Sequence, residues 1–344
     1  MPKKTNDEQS IYSDTNVDDM YKKLKHVEHV LALPDTYVAS VEPQENRLHV
    51  IKEPEHDGET LQIVKEDITW TPGLLNIFTE ILVNATDHYT RIEGLKKKKK
   101  NLQSVTEIDV TINQETNTIT IRNNGEGIDA KLIEEHQKYP VQLIFCQLLT
   151  STNYNKEEEK TIGGKNGYGA KLTNIFSTYF KVTSVDRIRK KRVTVECHNN
   201  MSEENLSVET YKKSPYTEIT FTPDLPRFSM KTLTDDMVLL MKKRVYDSAS
   251  WCPDISFTLN GTPIHIENFK DYARLYLSPE TPIVYYKCSR WEVVATVNKD
   301  EIFEQITFVN GINTIRGGRH VNYIVDQIKK TMIEILQKKH KLKI

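Results

Sequence analysis

Paired cysteines, long apolar stretches and an excess of charge of either sign are all missing from these 344 residues. The four cysteines, Cys146, Cys197, Cys252 and Cys288, are widely dispersed and form no C-x-x-C pair, so nothing points to a zinc site. A chain of this size needs no disulfide framework, and free thiols in a reducing, intracellular compartment are expected. No apolar run approaches the roughly 20 residues of a membrane-spanning helix, and the N-terminus has no signal-peptide apolar region, so no membrane partner is expected. Lys and Arg number 47 against 48 Asp and Glu, a formal net charge of −1. That balance argues against a domain dedicated to gripping nucleic acid, because neutralising phosphates needs a basic surface. Two common nucleotide loops are absent as well. No Gly-Lys is followed by Ser or Thr in a Walker A pattern, and the dinucleotide fingerprint G-x-G-x-x-G does not occur. There is no internal repeat, and low complexity is confined to the lysine run at 96–100.

What is present begins with an ordinary globular composition, 38% hydrophobic and 28% charged, in a chain long enough for two domains. The segment Gly163-Gly164-Lys165-Asn166-Gly167-Tyr168-Gly169-Ala170-Lys171 precedes Leu172, Ile175, Phe176 and Tyr179 at helical spacing. It reads as a flexible loop entering a helix N-terminus, where free backbone N–H groups and the helix dipole favour phosphate. By itself a glycine-rich surface turn fits it equally well. A second segment starts at Thr71-Pro72, with Thr71 suited to cap and Pro72 to the first helical position. Leu74, Ile77, Phe78, Ile81, Leu82 and Ala85 then give an amphipathic helix. Glu80, Asn84 and Asp87 share one of its faces, within an apolar stretch where polar groups are costly unless partnered. A third segment, Ile119-Thr120-Ile121-Arg122-Asn123-Asn124-Gly125-Glu126-Gly127-Ile128, alternates like a strand and ends in a tight Asn/Gly turn.

These three blocks, in this order, resemble the ATP-binding domain of the GHKL superfamily, shared by type II topoisomerases, MutL, a heat-shock chaperone and sensor histidine kinases. Glu80-Ile81-Leu82-Val83-Asn84-Ala85, Leu148-Leu149-Thr150-Ser151-Thr152-Asn153-Tyr154 and Asn166-Gly167-Tyr168-Gly169-Ala170-Lys171-Leu172-Thr173-Asn174-Ile175-Phe176-Ser177 look like the eukaryotic type of DNA topoisomerase II. So do His29-Val30-Leu31, Pro34-Asp35-Thr36-Tyr37, Phe308-Val309-Asn310 and Gly317-Gly318-Arg319-His320. The resemblance implies a two-layer α/β sandwich of the GHKL (Bergerat) type over 20–259. It further implies a transducer domain of ribosomal-protein-S5-like α/β fold over 260–344, incomplete at its C-terminus. The polar residues 1–19 read as disordered or as an extended arm. The chain looks like a fragment, because it has no recognisable DNA-cleavage region and no match to the family's transducer lysine in a Gln-Thr-Lys motif.

Pattern alone places a helix at 20–33, strands at 48–51 and 61–64, and the hairpin 108–112/118–122. Further on it places a helical stretch at 141–149, a polar lid at 150–161, strands at 181–185, 193–197 and 218–222, and a helix at 235–248. Strand character at 291–297 and 302–309 and a helix at 323–337 complete the order.

The resemblance assigns ATP and magnesium (Mg2+) as ligands. Glu80 is then the residue that orients and deprotonates water, and Asn84 offers an amide oxygen to the metal, which prefers oxygen and takes few protein ligands beside phosphates. Asn123 matches the adenine contact, a position where gyrase carries Asp, and Thr217 matches a support for the adenine-site water. Arg91 is expected near the phosphates, and Asp87 is expected among the nucleotide-binding residues. Ser151, Thr152 and Asn153 match residues on ribose and phosphates. Gly164, Lys165, Asn166, Gly167, Tyr168, Gly169, Ala170 and Lys171 match the phosphate cradle, with Lys165 where relatives usually have Arg and Lys171 as the charged partner. Tyr21 matches an arm that crosses to the partner's nucleotide in a homodimer. The implied whole is the N-gate of a type II topoisomerase that traps double-stranded DNA in the nucleus or another site of replication. A chaperone or mismatch-repair clamp shares the Glu/Asn helix, and a nucleotide-dependent dimerisation module without useful turnover is the non-enzyme alternative. The lysine run reads either as a solvated loop or as DNA steering.

Overall fold

The computed structural model describes residues 26–54, 56, 60–98, 101–148, 168–298 and 301–340. Two short helices, α1 (His26–Ala32) and α2 (Pro34–Val38), lead into a hairpin of β1 (Gln44–Lys52) and β2 (Gln62–Trp70). Helix α3 (Pro72–Lys96) follows, then β3 (Glu107–Asn113), β4 (Thr118–Asn124) and α4 (Pro140–Cys146). After α5 (Gly169–Ile175) come β5 (Ser177–Asp186), β6 (Lys191–His198), β7 (Glu203–Thr210) and β8 (Tyr216–Pro223), and then α6 (Asp235–Trp251), β9 (Ser256–Leu259) and β10 (Thr262–Ile264).

Eight strands form one sheet in the order β10-β9-β3-β4-β8-β5-β6-β7, antiparallel throughout except for the parallel pair β3 and β9. One sheet face is apolar because side chains alternate along each strand. Ile108, Val110 and Ile112, Ile119 and Ile121, Ile219 and Phe221, Phe180 and Val182, and Val193 and Val195 are all buried. They join one core with Leu74, Ile77, Phe78 and Ile81 of α3 and Met237, Met241 and Val245 of α6. The result is the expected two-layer α/β sandwich.

Several boundaries differ from the sequence reading. β1 and β2 each extend to nine residues, and α4 ends at Cys146, where Gln147 turns extended. Strand β7 has no buried residue along it, so it lacks the alternation that announces a strand. Its glutamates suit an edge that must not pair with another chain. Thr71 does not cap α3 with its side chain. Its hydroxyl is buried without a hydrogen-bond partner among the described residues, and the helix start is satisfied instead by the Ser40 carbonyl, which accepts from Gly73 N at 2.8 Å.

Past the sheet lie α7 (Phe269–Arg274), the hairpins β11 (Val284–Lys287)/β12 (Glu292–Ala295) and β13 (Phe308–Val309)/β14 (Ile312–Asn313), and α8 (Arg319–His340). Residues 302–305 form no strand. This part is fastened to α6 through a buried polar cluster. Lys243 Nζ lies 2.9 Å from Asp247 Oδ1, which also accepts from Tyr272 Oη at 2.6 Å. Each member is paired, as burial of such groups requires. The turn at Gly311, with φ of +76°, lies against the Trp251 ring, where a Cβ would come within 2.5 Å. All four cysteines are free thiols, and among the described residues no helix is long and apolar enough to cross a membrane.

Candidate active site

Helix α3 presents Glu80, Asn84, Asp87 and Arg91 along one face, since steps of four, three and four residues return to nearly the same azimuth, with His88 at the edge of that face, about 100° from Asp87. The apolar stripe of the same helix is buried in the core, which turns the polar face toward the edge of the sandwich. Glu80, Asn84, Asp87 and His88 are half-buried and Arg91 is exposed.

Helix α5 lies across this face. Thr173 Oγ1 donates to the Ile77 carbonyl of α3 at 2.9 Å, which sets the distance between the two helices. Gly169, at the start of α5, then meets the Glu80 carboxylate directly. A Cβ at position 169 would stand 1.8 Å from Glu80 Oε2. The glycine serves close approach here, not a special backbone angle. Neither Glu80 nor the Asn84 amide has a hydrogen-bond partner among the described residues. Burial, with Asp87 adding to it, pushes the Glu80 carboxyl above the ordinary carboxylate range. Lys171, one turn into α5, is 1% exposed, and burial pushes its ammonium down to about 8.

Asn123 is on the helix-facing side of β4, in line with Ile119 and Ile121, and is buried. Its Nδ2 donates to the Asn124 carbonyl at 2.8 Å. Asn124 points the other way, and its Oδ1 accepts from Thr106 N and Glu107 N at 2.7 and 3.0 Å, so one asparagine faces the cleft while the next pins the loop before β3. Thr217 stands opposite Asn123 across β4 and β8. Its Oγ1 is 3.0 Å from Ser184 Oγ, which accepts from Ile128 N at 2.9 Å.

The two glycines of this turn serve close approach. They make room for protein. Gly125, with φ of +96°, would place a Cβ 2.9 Å from Ser104 O, and Gly127 would place one 2.0 Å from the Val185 carbonyl. Gly127→Ala is therefore expected to destabilise the fold by about 3 kcal/mol through overpacking against backbone. Denaturant unfolding checks this, and an unchanged midpoint would remove the packing role.

His88 bridges α3 and the turn after β4. Its ring lies between the Glu126 carbonyl, 2.5 Å from Nε2, and the Arg91 guanidinium, with Nη2 2.8 Å from Nδ1. Glu80, Asn84, Asp87 and Arg91 thus share one face of α3 with Gly169 against Glu80, Asn123 faces the helix layer from β4 with Thr217 opposite it, and Lys171 is buried in α5 near Cys146. His88 and Ser184 escaped the sequence reading. Only the spacing of His88 on the Glu80 face could have flagged it. Tyr21, Ser151, Thr152, Asn153, Gly164, Lys165, Asn166 and Gly167 lie outside the described residues, as do the arm at 1–19, the lid at 150–161 and the last two lysines of the run.

Among the described residues no three His, Cys, Asp or Glu side chains converge to hold a metal. The residues present fit a magnesium ion held mainly by phosphates. Asn84 offers a hard amide oxygen with no hydrogen-bond partner among the described residues, one turn from a carboxylate.

Comparison with known proteins bears on the same residues. Residues 71–227 match the family of histidine kinase-, DNA gyrase B- and HSP90-like ATPases, and residues 266–344 match the DNA gyrase B family. DNA topoisomerase 2 of Candida glabrata is 42% identical over 93% of this chain, and the chain spans about a quarter of the length of the curated relatives it matches, 23% for this one. The solved ATPase region of Saccharomyces cerevisiae topoisomerase II is 43% identical with a TM-score of 0.83, over 94% of this chain and 82% of that one. The ATPase and transducer domains of DNA topoisomerase II from Balamuthia mandrillaris are 36% identical with a TM-score of 0.83, over 95% of this chain and 81% of that one. With the Glu80 helix, the Asn123 turn and the Gly169 helix set in one sandwich, the chain belongs to the family of ATPase regions of eukaryotic-type DNA topoisomerase II.

Proposed function

We propose that this chain binds ATP with magnesium and hydrolyses it, as the N-gate part of a type II topoisomerase. The observation that carries the reading is the Glu80 carboxylate held against Gly169 at the mouth of α5, one turn before Asn84. Asn123 and Thr217 take the adenine edge, an amide able both to accept from its amino group and to donate to a ring nitrogen or water. Asp87, Arg91, Lys171 and the glycine loop surround the phosphates, and an anion beside the buried Lys171 favours its charged form. Glu80 orients a water in line with the γ-phosphate and takes its proton as the new P–O bond forms. The bond to the β,γ-bridging oxygen breaks and its electron pair leaves with ADP. Its raised proton affinity makes it a stronger base than a solvated carboxylate. Magnesium, held by Asn84 and phosphate oxygens, would neutralise charge on the phosphates.

In the longer relatives' context, ATP joins two copies of this region, with Tyr21 reaching across, and encloses a DNA duplex. That work belongs in the nucleus or another site of DNA replication. Within the chain, the ATP-binding unit is taken to run over 20–259 and the transducer unit over 260–344, with β10 continuing the main sheet to Ile264.

Asn84→Ala is expected to lower nucleotide affinity in magnesium to about its magnesium-free level, since the metal loses its protein oxygen. Calorimetry with a non-hydrolysable analogue, with and without magnesium, checks this. Equal magnesium dependence in mutant and wild type would make Asn84 structural.

A further inference from the structure

The polar face of α3 contains one residue that the reading above does not use. We propose that His88 is a positioning residue for Arg91: its ring, anchored on the Glu126 carbonyl, offers a lone pair at Nδ1 that holds the guanidinium on the phosphate side of the cleft. The proposal rests on the reading of the cleft as an ATP site.

Donor chemistry fixes the arrangement. A guanidinium has only N–H donors, so in the 2.8 Å contact Arg91 donates and His88 Nδ1 accepts. The ring's proton then sits on Nε2 and is donated to the Glu126 carbonyl at 2.5 Å. Only the neutral, Nε2-protonated ring makes both bonds, because an imidazolium has no lone pair. Burial, followed by the nearby Arg91 charge, pushes the His88 imidazole down to about 4, which keeps it neutral at physiological pH.

The anchor is itself anchored. The Glu126 carboxylate accepts from Gln103 N at 3.0 Å and pairs with Arg187 at 3.3 Å. A relay therefore runs from the loop before β3, through the turn that follows Asn123, to the end of the catalytic face of α3. Arg91 is exposed and, unheld, would sample many rotamers. Restricting it before the phosphates arrive reduces the entropy lost on binding. It also ties the phosphate side of the cleft to the adenine side through one ring.

The test uses the whole chain and two probes, a non-hydrolysable ATP analogue with magnesium, and adenosine, which has no phosphates. His88→Ala and His88→Gln should weaken the analogue about tenfold, the scale of a charge-assisted hydrogen bond, and leave adenosine unchanged. His88→Asn should retain affinity, because its amide oxygen can stand where Nδ1 stands, whereas the glutamine amide reaches the Nε2 position and leaves Arg91 without an acceptor. In an Arg91→Ala background, His88→Ala should cost nothing further. Additive losses, or equal losses for adenosine and the analogue, would overturn the assignment, since a merely structural histidine behaves that way. Tight analogue binding that is indifferent to His88 overturns this proposal alone. A wild-type chain that binds neither probe overturns the ATP reading and the proposal together.

Discussion

Glu80→Gln should reduce ATP turnover by about a thousandfold, the scale of losing a positioned general base, while nucleotide affinity stays close to wild type. The amide preserves the shape that fits over Gly169 and loses only the charge and the proton acceptor. The half-buried carboxylate has no hydrogen-bond partner among the described residues to be left stranded by the change, so the fold should tolerate it. Removing a buried negative charge next to Asp87 also relieves repulsion, which works toward tighter, not weaker, analogue binding. Steady-state hydrolysis and analogue calorimetry on the same preparation separate the two quantities. Turnover near wild type in the mutant would end the general-base assignment, whatever the affinity.

Gly169→Ala should produce a smaller but still large loss of turnover by a different route. The new methyl would lie 1.8 Å from Glu80 Oε2 and 2.6 Å from its Cδ, so the carboxylate must swing away. Helix α5 cannot retreat easily, because Thr173 fastens it to the Ile77 carbonyl and its apolar residues are buried in the core. A displacement of the base by about 1 Å or more costs on the order of a hundredfold in rate. The side chain that yields is flexible, so the loss of stability should be modest, about 1–2 kcal/mol. The double mutant Gly169→Ala/Glu80→Ala provides the control, since deleting the obstructing carboxylate should return the unfolding midpoint toward that of Glu80→Ala alone. If Gly169→Ala hydrolyses ATP at the wild-type rate, the contact with Glu80 is not what the glycine is for.

Much of the site was legible because its signals are local. Glu80, Asn84 and Asp87 recur at one-turn spacing within an apolar helix, and that periodicity by itself puts them on one face. The alternation in β4 puts Asn123 in line with Ile119 and Ile121, but its role at adenine follows only from the resemblance, since Asn-Asn-Gly by itself reads as an ordinary turn. Periodicity also located α3, α6 and most of the central strands, because each buries a stripe or a face against the same core.

What the sequence by itself determined, then, were the elements and the polar residues that their apolar faces carry along. The tertiary structure decided how those elements meet. The order of the eight strands, including the parallel pairing of β3 with β9 across some 150 residues, depends on contacts distant in sequence. Strand β7 pairs at an edge with both faces wet, so no hydrophobic pattern marks it. The glycines show the limit most sharply. Gly125 and Gly127 read as a tight turn and Gly169 as part of a phosphate cradle, and each also makes room for protein, at Ser104, Val185 and Glu80 respectively. A missing side chain records only that something comes close. What comes close is set by the packing of other elements, as is the ring of His88 between Arg91 and Glu126, whose backbone lies 38 residues further along the chain.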